Sequence, residues 1–186
     1  IGAAGRLAED DERVRAKLDA VRAYVPSEGV PPESLMRMAR LGVAIDEWMT
    51  AYDLNATAIQ CWNAIQGNYG VNVCTLMSMM SDRLMPSACE VDITGAASMY
   101  ALRLASGAPS ALVDWNNNYP GDPDRCVLFH CGNWAKGFYS EPPGATMGYA
   151  EILATTLGRE HTYGALAGRV PAGPMSYARI STDDLS

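Results

Sequence analysis

The chain has 186 residues, a formal charge of −7 and an apolar fraction of 48%. That length carries one sizeable domain or two small ones, and that composition builds a packed core. Lysine occurs only at Lys17 and Lys136, which argues against nucleic acid and against an anionic membrane surface as partners. No apolar run approaches the roughly 20 residues that a membrane span needs. No signal-peptide pattern is present. The cysteines, Cys61, Cys74, Cys89, Cys126 and Cys131, are odd in number and set mostly in apolar sequence. Reduced, buried thiols in a cytoplasmic protein are expected, rather than a disulfide framework. The chain opens on Ile1 without a Met and stops at Ser186, so it reads as a fragment of a larger chain.

Residues 9–24 predict an amphipathic helix, with Val14, Leu18 and Val21 at helical spacing and Arg13, Arg15 and Lys17 on a solvated face. Pro26, Gly29, Pro31 and Pro32 mark a loop. A second helix is predicted over 32–52, with Leu35, Met38, Leu41, Ile45 and Met49 on one face. The short apolar run 56–60 predicts a buried strand. Residues 71–83 fit a helix by length, with Met77, Met79, Met80 and Met85 as core filling. A strand over 87–91, a helix over 94–106 and a strand over 111–115 (ALVDW) follow. The fold class is therefore α/β, a parallel βαβ layer. After WNNNYPGDPD the texture turns to β, with a strand over 125–131 and strand-like runs near 161–170 and 175–181. The expected organisation is an α/β domain over 1–118 and the start of a mainly antiparallel β domain over 119–186.

In open α/β sheets functional residues gather outside the carboxyl ends of the strands. Gln60, Glu90 and Asp114 each fall at or near such an end, and His130 closes the first strand of the β part. Carboxylates with one imidazole suit a hard or borderline divalent cation such as Mn²⁺ or Mg²⁺. Glu90 lies among small and apolar residues, where a buried carboxylate needs a partner or a metal. Asp92 reads instead as the N-cap of the next helix. Cys126, His130 and Cys131 with Cys89 raise zinc, but the spacing is not of the CxxC type, and neighbours 130 and 131 on a strand face opposite ways. Phosphate-cradling, dinucleotide and nucleophile-elbow motifs are absent from the sequence.

The succession AIQCWNAI, SACEVDITGAASM, ALVDWNN and LFHCGN resembles the L-fucose/L-arabinose isomerase family, its fucose-isomerase-like members above all, over about residues 55–186. The resemblance implies a metal-dependent aldose–ketose isomerase working through an ene-diol. It implies Mn²⁺ bound by Glu90 and Asp114, with these two acids as the acid/base pair. It implies a metal-binding position at His130, as in arabinose-isomerase-like members, and substrate contacts from Gln60. A further C-terminal metal His and an N-terminal α/β domain of the family have no counterpart here, so the isolated chain is expected to be inactive. Trp62, Trp115 and Trp134 offer apolar walls to a sugar, with Trp62 assigned to core packing and Trp115 to the substrate. The expected partners are a monosaccharide and further copies of the chain in a homo-oligomer. A non-catalytic sugar-binding or assembly module, or another metal-dependent sugar enzyme on the same scaffold, is the alternative.

Overall fold

The computed structural model describes residues 1–181. A one-turn helix α1 (Gly2–Arg6) leads into α2 (Glu12–Tyr24) and the long α3 (Pro32–Ala51). Asp11 caps α2 by accepting from the Arg13 N–H, and Pro32 opens α3, where a missing N–H costs nothing. The predicted stripes are the buried ones: Val14, Leu18 and Val21 on α2, and Leu35, Met38, Leu41, Ile45 and Met49 on α3. Ion pairs Lys17–Asp46 and Arg13–Glu47 bridge the outer edges of the two helices.

The chain then forms β1 (Thr57–Ile59), a π turn (Cys61–Ile65), α4 (Gln66–Tyr69), α5 (Cys74–Asp82) and β2 (Ser87–Cys89). Strands β1 and β2 pair in parallel, Ile59 opposite Cys89. The stretch 71–83 resolves into α5, with Met77 and Met80 in the core. Helix α6 (Ile93–Ser106) starts where the cap predicts: Asp92 Oδ1 accepts from the Gly95 N–H at 2.7 Å. Asp92→Ala is expected to cost about 1 kcal/mol, the usual worth of such a cap, read as a lowered urea midpoint at unchanged m-value.

Beyond α6 the chain departs from the prediction. Residues 111–113 are not strand, and β3 covers Asp114–Asn118. It does not join the parallel pair. It forms an antiparallel hairpin with β4 (Cys126–Phe129), Asp114 opposite Phe129. The expected boundary near residue 118 falls at the last residue of β3. A third two-stranded sheet joins β5 (Thr146–Tyr149) to β6 (Tyr163–Ala167), with helix α7 (Glu151–Leu157) between them. The segment 175–181, predicted as strand, is irregular and exposed. It has no neighbouring strand to take up its backbone groups, and pairing rather than composition makes a strand. The fold class is as expected: mixed α/β, a small parallel sheet followed by antiparallel ones.

One apolar cluster unites α2, α3 and α5 with Tyr139, Met147, Tyr163 and Leu166 of the later segments. Hydrogen bonds stitch the same contact. Asn72 donates its N–H to the Tyr163 carbonyl at 2.8 Å, and Thr75 Oγ1 donates to the Gly164 carbonyl at 2.7 Å. The segment after β4 is tied down by the Trp134 indole, which donates to the Leu112 carbonyl at 2.7 Å, and by Ser78, which donates to the Trp134 carbonyl. Among the described residues no helix is long and apolar enough to cross a membrane.

Candidate active site

Gln60 and Glu90 each follow the last residue of a paired parallel strand, β1 and β2. They share the address at which α/β folds present polar groups. Both side chains are exposed. Ala88 and Cys89 before Glu90 are buried, but Val91 after it and Glu90 itself are exposed, so no burial penalty has to be met. The backbone arranges this. Glu90 and Val91 are consecutive non-glycine residues in the left-handed region, at φ 60° and 58°. Such positions are sparsely populated and strained, and they concentrate at functional sites. The turn ends the strand, lifts Glu90 out of the core and leads into the Asp92 cap.

Asp114 reaches the same neighbourhood from another direction. It is the first residue of β3, not the last of a parallel strand, and it is exposed. Its partner across the hairpin, Phe129, precedes His130. Burial pushes the His130 imidazole toward the neutral form. The hydrogen bond and charge of Cys131 and the carboxylates of Asp114 and Glu90 oppose this, and the net shift is upward. Both carboxylates thus lie near enough to favour the charged imidazole. His130 Nδ1 accepts from the Cys131 N–H at 2.9 Å. The neutral ring therefore carries its proton on Nε2 and offers a donor there.

Two of the tryptophans change places relative to expectation. Trp62 is 50% exposed rather than core, because its extended ψ of 144° and the left-handed Asn63 break the helical path. Trp134 packs against the core and stacks on Tyr139. Trp115 is 74% exposed on the hairpin. Ile93, 70% exposed beside Asp92, and Phe129, 43% exposed on the hairpin, are further apolar groups open to solvent.

The oxygen donors Glu90 and Asp114 suit a hard divalent cation in chemical type. His130 fits through Nδ1 once the Cys131 N–H contact is released, or through Nε2 as the other tautomer, with its proton moved to Nδ1. Among the described residues, three candidate ligand atoms lie within 4.8 Å of one another only at Cys74, Cys89 and Cys131. Sequence reasoning missed this thiol cluster. It tested Cys131 for strand alternation, but β4 ends at Phe129, and His130 Nδ1 lies 3.4 Å from Cys131 Sγ. The usable signal was adjacency: Gln60–Cys61, Cys89–Glu90 and His130–Cys131 each pair a candidate polar residue with a thiol.

Comparison with known proteins finds sulfoquinovose isomerases among the curated relatives. No protein-family model matches the chain, and no solved structure matches it. Among curated proteins it is similar to sulfoquinovose isomerases. That of Alkalicoccus urumqiensis is 30% identical over 161 residues, 86% of this chain and 36% of the relative. That of Clostridium sp. (strain MSTE9) is 29% identical over 146 residues, 75% of this chain and 31% of the relative. That of Priestia megaterium is 27% identical over 116 residues, 62% of this chain and 26% of the relative. The chain spans about a third of the length of the first two.

Proposed function

We propose that the chain supplies part of the active site of a sugar aldose–ketose isomerase. The observation that carries this is Gln60 and Glu90 exposed at the ends of β1 and β2, with Glu90 and Asp114 near enough to His130 to favour its charged form, in a chain similar to sulfoquinovose isomerases. An aldose and its ketose differ by a hydrogen moved between C2 and C1. Glu90, ionised and exposed, takes the C2 proton of the open-chain aldose as general base. The C–H electron pair becomes the C1–C2 double bond, and the C1 oxygen takes a proton from a solvent water, giving the ene-diol. Glu90 then returns its proton to C1 as the 2-hydroxyl gives up its own to Asp114 or solvent, leaving the ketone at C2. His130 Nε2–H is a donor for a sugar oxygen on which charge develops. Gln60 offers its amide to hydroxyls, and the exposed indole of Trp115 gives the sugar an apolar wall.

A divalent cation such as Mn²⁺, held by Glu90, Asp114 and His130, supplies Lewis-acid polarisation of the sugar oxygens when bound. The sugar is sulfoquinovose by likeness to the named relatives, and L-fucose or an arabinose by the fucose-isomerase-like motifs. Free thiols at all five cysteines suit a reducing compartment, the cytoplasm. The exposed indoles of Trp62 and Trp115 suit coverage by further chain or by subunits of a homo-oligomer. The 186-residue chain alone is expected to turn over little.

The test incubates the protein translated from the complete reading frame with Mn²⁺ and, separately, sulfoquinovose, L-fucose, L-arabinose and D-arabinose, and measures ketose. Ketose from any of them supports the reading. Binding of a sugar without ketose formation would replace it with a sugar-binding module.

A further inference from the structure

The thiols beneath the candidate site form a constellation that isomerase chemistry does not use. Cys61 follows β1, Cys74 is the first residue of α5, Cys89 ends β2, and Cys131 lies just past β4. Cys131 Sγ is 3.4 Å from Cys74 Sγ and 3.5 Å from Cys89 Sγ, and Cys61 Sγ is 2.8 Å from Cys89 Sγ. The sulfurs of Cys74, Cys89 and Cys131 all lie within 4.8 Å of one another. Cys61, Cys74 and Cys89 are buried, and Cys131 packs against the core from its edge. Three thiols, Cys74, Cys89 and Cys131, converge here; Cys61 adjoins them through Cys89 but lies outside the group whose sulfurs are all within 4.8 Å, and Cys126 stays on the hairpin.

We propose that Cys61, Cys74, Cys89 and Cys131 form a structural zinc site. A tetrahedral centre with Zn–S bonds of about 2.3 Å holds its sulfurs about 3.8 Å apart. The Cys74–Cys131 and Cys89–Cys131 separations come within a few tenths of an ångström of that, so these three are the preformed part of the site; Cys61 becomes the fourth ligand by moving about 1 Å away from Cys89 and toward Cys74 and Cys131. Closed sulfur coordination is the pattern of structural zinc, and thiolates are too soft to select Mn²⁺ or Mg²⁺. Each thiol releases its proton to solvent as the metal binds. The surroundings suit this. Asn72 Oδ1 accepts from the Cys74 N–H at 2.8 Å, fixing the start of α5. The site would fasten the hairpin's return point to both parallel strands. It would also set the chain immediately beside Gln60, Glu90 and His130.

The experiment purifies the full protein from zinc-supplemented medium, dialyses it against metal-free buffer and measures metal per chain, with Cys131→Ser and Cys126→Ser alongside. The expected result is about one zinc per chain in wild type and Cys126→Ser, and a loss of about tenfold or more in Cys131→Ser. Excess Mn²⁺ should not displace it. Should Cys131→Ser fail to fold, cobalt substitution of the wild type decides: a thiolate-to-cobalt charge-transfer band is expected. Its absence, equal zinc in wild type and Cys131→Ser, or a Cys61–Cys89 disulfide in place of metal would overturn the proposal. None of these readouts depends on sugar turnover, so failure of the isomerase reading leaves the result intact.

Discussion

In the protein translated from the complete reading frame, Glu90→Gln is expected, on the proposed isomerase reading, to lower turnover by about 10²- to 10⁴-fold, the usual contribution of acid–base catalysis, with the fold left in place. The side chain is exposed, so the substitution removes no buried contact. The amide keeps the size of the carboxylate and one acceptor oxygen, but it cannot take a proton from carbon. Asp114→Asn, on an exposed strand, is expected to act in the same direction. The check is ketose formation measured with the thermal midpoint of each variant. Full activity in Glu90→Gln would remove the residue from the mechanism. A loss of activity matched by a fall in the midpoint would show that the site had been unfolded rather than disarmed.

Gly132→Ala is expected to be among the most damaging single changes in the chain. Gly132 has φ +84°, and a Cβ there would sit 2.1 Å from the Leu166 carbonyl oxygen of β6. The obstacle is backbone, not a flexible side-chain tip. Either the segment after β4 or strand β6 must move, and β6 is held to the core through Asn72 and Thr75. Left-handed strain and overpacking each cost about 1–3 kcal/mol, so a combined loss of about 3 kcal/mol or more is expected in urea unfolding. Because Cys131 and His130 directly precede the glycine, faster reaction of Cys131 with a thiol reagent should accompany the loss. An unchanged midpoint would mean that the two segments are not in this contact.

The helices were legible because their signals are local. Val14, Leu18 and Val21 repeat on one face of α2, and Asp92 lies where a cap must lie. The two parallel strands were legible as short apolar runs between turns. The third was not. The apolar ALV of ALVDW reads as a buried strand, yet the pairing that creates β3 starts at Asp114 and depends on a partner beginning at Cys126. Asp114 was therefore named for a topological reason that does not hold, since it does not end a parallel strand, whereas His130, expected to close the first strand of the β part, directly follows β4. Asp114 still lies near enough to favour the charged imidazole, because the hairpin sets the two side by side. The thiol cluster was beyond local reading. Its contacts join residues 28 to 57 positions apart, and only long-range packing brings them together.

The hairpin β3–β4 has a consequence for how such a site keeps its shape. Every residue of β3 is exposed, and β4 alternates between half-buried and exposed positions. A two-stranded ribbon with so little burial has scarcely any cooperative stability of its own. Glu90 and Gln60, by contrast, stand directly on strands whose neighbours Ile59 and Cys89 are buried. Backbone amides of 114–118 and 126–129 should therefore exchange with solvent through small openings that leave β1 and β2 protected. The candidate site is hinged in free energy: one wall is set at the full cost of unfolding the protein, while the other opens and closes on a local equilibrium that a ligand or a covering chain can shift.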